Sequence, residues 1–218
     1  MRKWILIFLA PAVYLLLCSK SCDSGQMDDD VLEKKNLNKT RDFIKTEAES
    51  ETLSDQSLRA YEANAKQKLN DFADFLSIYY DQNIDSAMKK QAGNMIVKLF
   101  SSEEITIPPF IPGVKWTVNP TLTDLLKNEN LPEYKSTKIL IDSITVREPL
   151  RYSGESLSKG TLTFSTRVIS YSSSDSLVLE RIKMEVEMLA KKVDKTFGSE
   201  TLRVWGVFLG NMKLAKTD

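Results

Sequence analysis

The chain reads as an α+β protein, with helices at the front of its folded part and an antiparallel sheet behind them. Three observations predict this. Apolar residues between Leu58 and Leu99 recur at three- and four-residue steps, the period of one helical face. From Tyr134 onward the pattern becomes alternation, clearest at Ile182, Met184, Val186, Met188 and Ala190. Turn-forming clusters, Tyr171-Ser-Ser-Ser-Asp-Ser176 and Phe197-Gly198-Ser199, separate the alternating segments.

The first element is not part of that fold. Met1-Arg2-Lys3 is a short cationic start, followed by an apolar run from Trp4 to Leu17 that contains Pro11. This run is shorter than the ~20 residues a helix needs to span a hydrocarbon core, and a positive start plus such a run is the pattern of a secretory signal. Leu15-Leu16-Leu17-Cys18 places a leucine three residues before a cysteine, and Ser19-Lys20-Ser21 places a small residue just before Cys22. With the acidic Asp28-Asp29-Asp30 downstream, the segment resembles the N-terminus of bacterial lipoproteins. That resemblance implies lipid attachment at Cys18 or Cys22. An uncleaved anchor and a freely secreted product are the alternatives. Residues 1–22 are therefore expected to be a signal peptide or membrane anchor. The expected location is the bacterial cell envelope, membrane-anchored and facing the periplasm or the exterior.

Residues 23–55 are charged, and their few large apolar residues are too scattered to form a stripe. Such a segment buries too little surface to offset chain entropy, so it reads as an acidic polar tether with a loose helix around Thr40 to Ala48. Residues 56–214 read as one domain. Leu58, Tyr61, Ala65, Leu69, Phe72, Ala73, Leu76 and Tyr80 give the first helix, with Ser54 or Asp55 as its cap. Ile84, Met88, Ala92, Met95, Ile96 and Leu99 give a second, joined by a short connection that favours close packing. The stretch EEITIPPFIPGVKWTV, Glu103 to Val118, reads as two short edge strands around a proline-rich turn. Thr121-Leu-Thr-Asp124 resembles a capping box with Asp in place of Glu, opening a short third helix that carries Leu122, Leu125 and Leu126. Strands are expected over Lys135 to Arg147, Gly160 to Tyr171, Leu177 to Val193 and Glu200 to Leu214.

Two packed helices, a strand pair, a small helix and four long antiparallel strands form an order that resembles the NTF2-like superfamily. The resemblance implies a curved sheet wrapped around the helices, and it carries no universal catalytic residue. A cystatin-like arrangement of helices on one sheet is the alternative.

Composition removes many reaction classes. The chain has no histidine, and its only cysteines are Cys18 and Cys22. Ser-His-Asp and Cys-His catalysis and ordinary zinc sites are thereby excluded from the domain, and no metal or cofactor is expected. A formal net charge of zero gives no reason to expect nucleic acid. Acid–base work would fall to Asp, Glu, Lys and Tyr. Asp142 is the first candidate, a carboxylate on a strand among Leu140, Ile144 and Val146. Pairing with Arg147 or Arg167, or a bulge turning it outward, is the structural alternative. Tyr80 and Asp81, closing the first helix, form a second pair of candidates, for which a packing residue and a turn residue are the alternative. Lys183, Glu185 and Glu187 alternate in charge as the wet side of a strand does.

For binding, Trp116 is a possible stacking platform. Trp205, Val207 and Leu209 form one apolar face of the last strand, opposite Leu202, Val204, Phe208, Met212 and Leu214. A strand apolar on both sides is a covered central strand, a subunit contact or a pocket wall. The functional expectation is a non-enzymatic, envelope-anchored binding or assembly module. It would meet the membrane through its N-terminus and a homodimer or envelope partner through the apolar sheet face or a pocket. The alternatives are a pocket enzyme (isomerase, dehydratase or hydrolase) using an Asp/Tyr pair without metal, and a periplasmic scaffold of a secretion or conjugation machine.

Overall fold

The computed structural model describes residues 50–112, 118, 120–127, 134–172, 176–178, 181–197 and 200–215 together with Lys35 and Thr46, and the first long helix of the domain opens at a serine cap. Ser54 accepts the Ser57 amide at 3.2 Å, and helix α1 then runs Asp55–Tyr80. Its buried face is Ala65, Leu69, Phe72, Ala73, Leu76 and Tyr80, the stripe the spacing predicts. Helix α2, Ser86–Leu99, is capped by Asp85, which accepts the amides of Ala87 and Met88. It buries Ala92, Ile96 and Leu99, whereas Met88, expected on the same face, is half exposed at the helix start. Helix α3, Leu122–Lys127, opens with the expected box: Thr121 N–H donates to Asp124 and Asp124 N–H donates back to Thr121 Oγ1.

The sheet contains β1 (Ser136–Gly154), β2 (Leu157–Tyr171), β3 (Ser176–Val178), β4 (Ile182–Phe197) and β5 (Glu200–Leu214). The order is β1-β2-β4-β5, every pairing is antiparallel, and β3 adds to the end of β2. Helices followed by a bulged antiparallel sheet give the expected α+β class. The third expected strand is corrected in one respect, because Leu177 to Val193 is not continuous. Val178 pairs with Ile169 and Ile182 with Thr166, so four steps on one side oppose three on the other. The ladder is broken there into β3 and β4.

A second bulge re-aims β5. Met188 pairs with Leu209 but Val186 pairs with Met212, which inserts one extra residue in β5. Met212 therefore turns inward with Trp205, Val207 and Leu209 instead of staying with Leu202 and Phe208. Glu187 holds this kink by accepting both the Asn211 amide and its side chain at 3.2 Å, and Asn211 in turn accepts the Thr106 amide. A Cβ at Gly210 would lie 2.8 Å from the Glu187 carboxylate, so a side chain there would have to displace the group that holds the kink. Glu187 is thus a structural residue, not only part of a wet face.

The core lies between α1, α2 and the inner sheet face. It includes Leu69, Leu76, Ile96, Leu162, Met184, Met188 and Leu209, all fully buried. Two further expectations change. The Glu103–Val118 segment forms no strand pair among the described residues, only an isolated bridge between Thr106 and Thr121. Pro108 and Pro109 lack amides, and the segment instead hydrogen-bonds along β5, with Met212 N–H donating to the Thr106 carbonyl. The domain also starts earlier than residue 56. Met1–Ala48 and Glu49–Asp218 are two compact units. In the first, Lys35 and Thr46 are helical, and the rest, including Cys18, Cys22 and most of the expected loose helix, lies outside the described residues. In the second, the Trp205 indole N–H donates to the Ser50 carbonyl at 3.1 Å, and Glu51 takes Lys192 at 3.0 Å and the Ser156 hydroxyl. These polar bonds fasten a segment whose composition alone reads as tether.

The free side of β1 is occupied by α1. Ser77 Oγ accepts the Ile139 amide at 2.9 Å and Glu62 accepts the Leu150 amide at 2.8 Å.

Candidate functional site

At the C-terminal end of α1 lies a cleft of about 600 Å³ lined by residues of α1, α2 and α3. Its floor is Tyr79, Tyr80 and Leu126, and its rim carries Lys89, Lys90 and Asn94. The two tyrosines follow from the α1 stripe: adjacent on the helix, they diverge and meet edge-on, ring centroids 5.2 Å apart. Tyr80 Oη donates to the Leu125 carbonyl at 2.7 Å, and Tyr79 Oη donates to the Leu126 carbonyl. Both hydroxyls thus hold the last turn of α3, whose carbonyls have no partner within so short a helix. A site with a tyrosine floor and an ammonium rim can stack on and neutralise an anionic group. Among the described residues no cluster of three Asp, Glu or Cys gathers to hold a metal ion.

Tyr80, a candidate acid–base residue, is 3% exposed. Burial, and secondarily Tyr79, push its hydroxyl far above the ordinary tyrosine range, so it stays protonated at all physiological pH. Tyr80→Phe is expected to destabilise the domain by about 1–3 kcal/mol, because the Leu125 carbonyl loses its donor while remaining buried. Thermal melting checks this. Asp81 ends α1 and accepts the Asn83 amide and side chain and the Ser136 hydroxyl. Tyr80 and Asp81 are therefore turned to separate structural tasks.

Asp142 takes both of its structural alternatives at once. A register shift between Ile141 and Ser143 marks a bulge that turns it to the outer sheet face, where it accepts Arg167 through two nitrogens (2.8 and 3.0 Å) and Arg181 at 3.0 Å. The Arg167 hydrogen bonds, followed by the charges of both arginines, hold its pKa below the ordinary carboxylate value. A lowered folded pKa contributes stability that is complete above the unfolded pKa of about 3.9 and is lost as pH falls through the folded value. Asp142→Asn is accordingly expected to flatten the acid limb of stability below about pH 4, read as urea midpoints against pH.

Trp205, Val207 and Leu209 are 6, 3 and 0% exposed and face the helices. They are core residues, not an open surface, and Asp142 lies on the other side of the sheet. Trp116 lies outside the described residues. On the outer face Glu185, expected on the wet side, is 4% exposed, covered by Arg147 and Lys213, which both pair with it. It is the one buried carboxylate among the described residues.

The cleft residues Lys89, Lys90 and Asn94 were not legible as a site. They sit on the polar side of an amphipathic helix, where only the tertiary placement of α3 distinguishes a rim from a solvated face.

No protein-family model matches the chain, and no curated protein sequence matches it. Among solved structures it is similar to a protein assigned as a scytalone dehydratase from Novosphingobium aromaticivorans. The identity is 10%, covering 75% of this chain and 93% of that one, with a TM-score of 0.34. It is also similar to the C. albicans Mtr2–Mex67 M domain complex, at 11% identity over 70% of this chain and 96% of that one, TM-score 0.32.

Proposed function

We propose that the chain is a non-enzymatic binding or assembly module of a bacterial cell envelope, held at a membrane by its N-terminal segment and engaging its partner through the α1–α2–α3 cleft. The observation that carries this reading is the distribution of side chains across the sheet. The inner face is filled by Leu162, Phe164, Met184, Val186, Met188 and Leu209, and the one buried carboxylate among the described residues, Glu185, is on the opposite face in an ion-pair cluster. An Asp/Tyr pair working between helices and sheet would need an inward carboxylate, and the inward Lys192 beside Trp205 is held in an ion pair with Glu51. The cleft instead offers aromatic, amide and ammonium groups at an accessible surface. Its cationic rim favours a partner bearing carboxylate or phosphate.

A photo-crosslinking residue placed at Asn94, compared with one at the exposed Asn64 on α1, tests the cleft in the native host. A discrete adduct from Asn94 alone is the expected result. No adduct from Asn94 would remove the cleft from the reading. Anchoring is tested separately by palmitate labelling of wild type, Cys18→Ala and Cys22→Ala. Label lost in one variant is expected, and label kept in both would argue against a unique lipidated cysteine.

A further inference from the structure

The outer face of the sheet carries a charge imbalance that the whole chain does not. Over the full sequence 30 cations balance 30 carboxylates, so any local excess is a matter of placement. Around Asp142 and Glu185, the outer face gathers Arg147, Arg167, Arg181, Lys183 and Lys213. Glu148 and Glu187 flank Thr161 in the next row, and Arg151 and Lys159 pair in the row beyond, so seven cations against four carboxylates leave three positive charges in excess.

The carboxylates also order the cations. Asp142 binds Arg167 and Arg181 together, and Glu185 binds Arg147 and Lys213 together, so each acid fixes two cations and neutralises one. All four bound cations remain substantially exposed, with side chains 42 to 73% accessible. Across the strands between them run short hydroxyl side chains: Ser143 opposite Ser165 and Lys183 in one row, and Thr145 opposite Thr163, Glu185 and Lys213 in the next. This part of the face has no aromatic anchor and no apolar pocket.

We infer that this outer sheet face is a docking surface for an anionic lipid bilayer. Stereospecific protein partners are held by aromatic or aliphatic anchors in desolvated pockets, which this region lacks. A headgroup array asks only for cations spread over a plane, and mobile lipids supply the complementary spacing. Guanidinium forks with free N–H groups beside hydroxyl rows suit phosphate oxygens. That a bilayer is within reach rests on the membrane-anchoring part of the proposed function. In this arrangement the domain lies against the membrane by its sheet and turns its helical cleft outward.

The test uses the full chain synthesised in the presence of vesicles, either phosphatidylcholine alone or phosphatidylcholine mixed with phosphatidylglycerol. The readout is the ratio of anionic to neutral partitioning at low and high salt. A ratio well above one, falling toward one at high salt, is expected. The double variant Arg181→Glu/Lys183→Glu is expected to lower it about tenfold or more. The neutral pair Arg181→Gln/Lys183→Gln is expected to lower it less, and it keeps the test decisive where charge reversal prevents folding. Lys98→Glu/Lys127→Glu, of equal charge change on the helices, is expected to leave the ratio unaltered. A ratio near one in the wild type would overturn the inference. An unchanged ratio in both sheet variants, or an equal fall in the helix variant, would do so too. Binding to soluble polyglutamate without preference for phosphatidylglycerol would assign the face to an acidic protein and likewise overturn it. Anchoring fails separately, as loss of association with neutral vesicles.

Discussion

Trp205→Ala is expected to lower the unfolding free energy by about 3–5 kcal/mol, the range for truncating a buried aromatic. Three losses coincide at this position. The indole is 6% exposed within the core, its N–H satisfies the Ser50 carbonyl, and the ammonium of Lys192 lies 5.9 Å from its ring. Lys192 is itself almost fully buried, with Glu51 as its charge partner. Removing the ring would leave a cavity, an unpaired carbonyl and a less well-covered cation. Trp205→Phe keeps most of the volume and loses the hydrogen bond, so about 1 kcal/mol is expected for it. Denaturant unfolding of the two variants checks the ordering. A neutral Trp205→Ala would mean that the residue works at a surface, as the strand pattern alone allows.

Gly160→Val is expected to be at least as damaging, by a different route. On β2, Gly160 faces the bulge of β1 at Pro149 and Leu150, where Glu148 pairs with Thr161 and Arg151 with Lys159. A Cβ there would lie 2.7 Å from the Glu148 carbonyl, 2.9 Å from the Leu150 nitrogen and 2.9 Å from the Met188 methyl. The first two are backbone atoms and cannot swing away, so the strands must part. One added methyl is expected to cost about 1–3 kcal/mol, and the branched side chain more, seen as a lower unfolding midpoint. Met188→Ala in the same chain is expected to restore little, since it relieves only the flexible third contact. Full rescue would show that the backbone contacts are not the cause.

These two positions show what the sequence makes legible. Helix faces, caps and strand alternation were readable, because each is a repeat of local chemistry: the α1 stripe, the Thr121–Asp124 box and the run from Ile182 to Ala190 all form as expected. What local periodicity cannot carry is an inserted residue. One extra position in β5 sends Met212 to the core, one at Asp142 sends a carboxylate to solvent, and both invert the face assigned from parity. The candidate site was less visible still. Tyr80 could be named, but its neighbours Lys89, Lys90 and Asn94 come from another helix, and a lysine pair on a polar helix face carries no signature of its own. The 50–54 segment was missed because its attachment rests on hydrogen bonds, the Glu51–Lys192 ion pair and a single apolar contact from Leu53, too little for composition to register.

The two amides of β1 taken up by Ser77 and Glu62 have a consequence for the life of the protein in a crowded compartment. An exposed strand of nineteen residues would be a template on which unrelated chains, or further copies, polymerise. Helix α1 blocks that growth by occupying donors at two widely separated points, and Pro149 adds a position where no donor exists. The helix that builds the core is therefore also the guard against fibril formation, and a change that loosens it would endanger neighbours as well as the molecule itself.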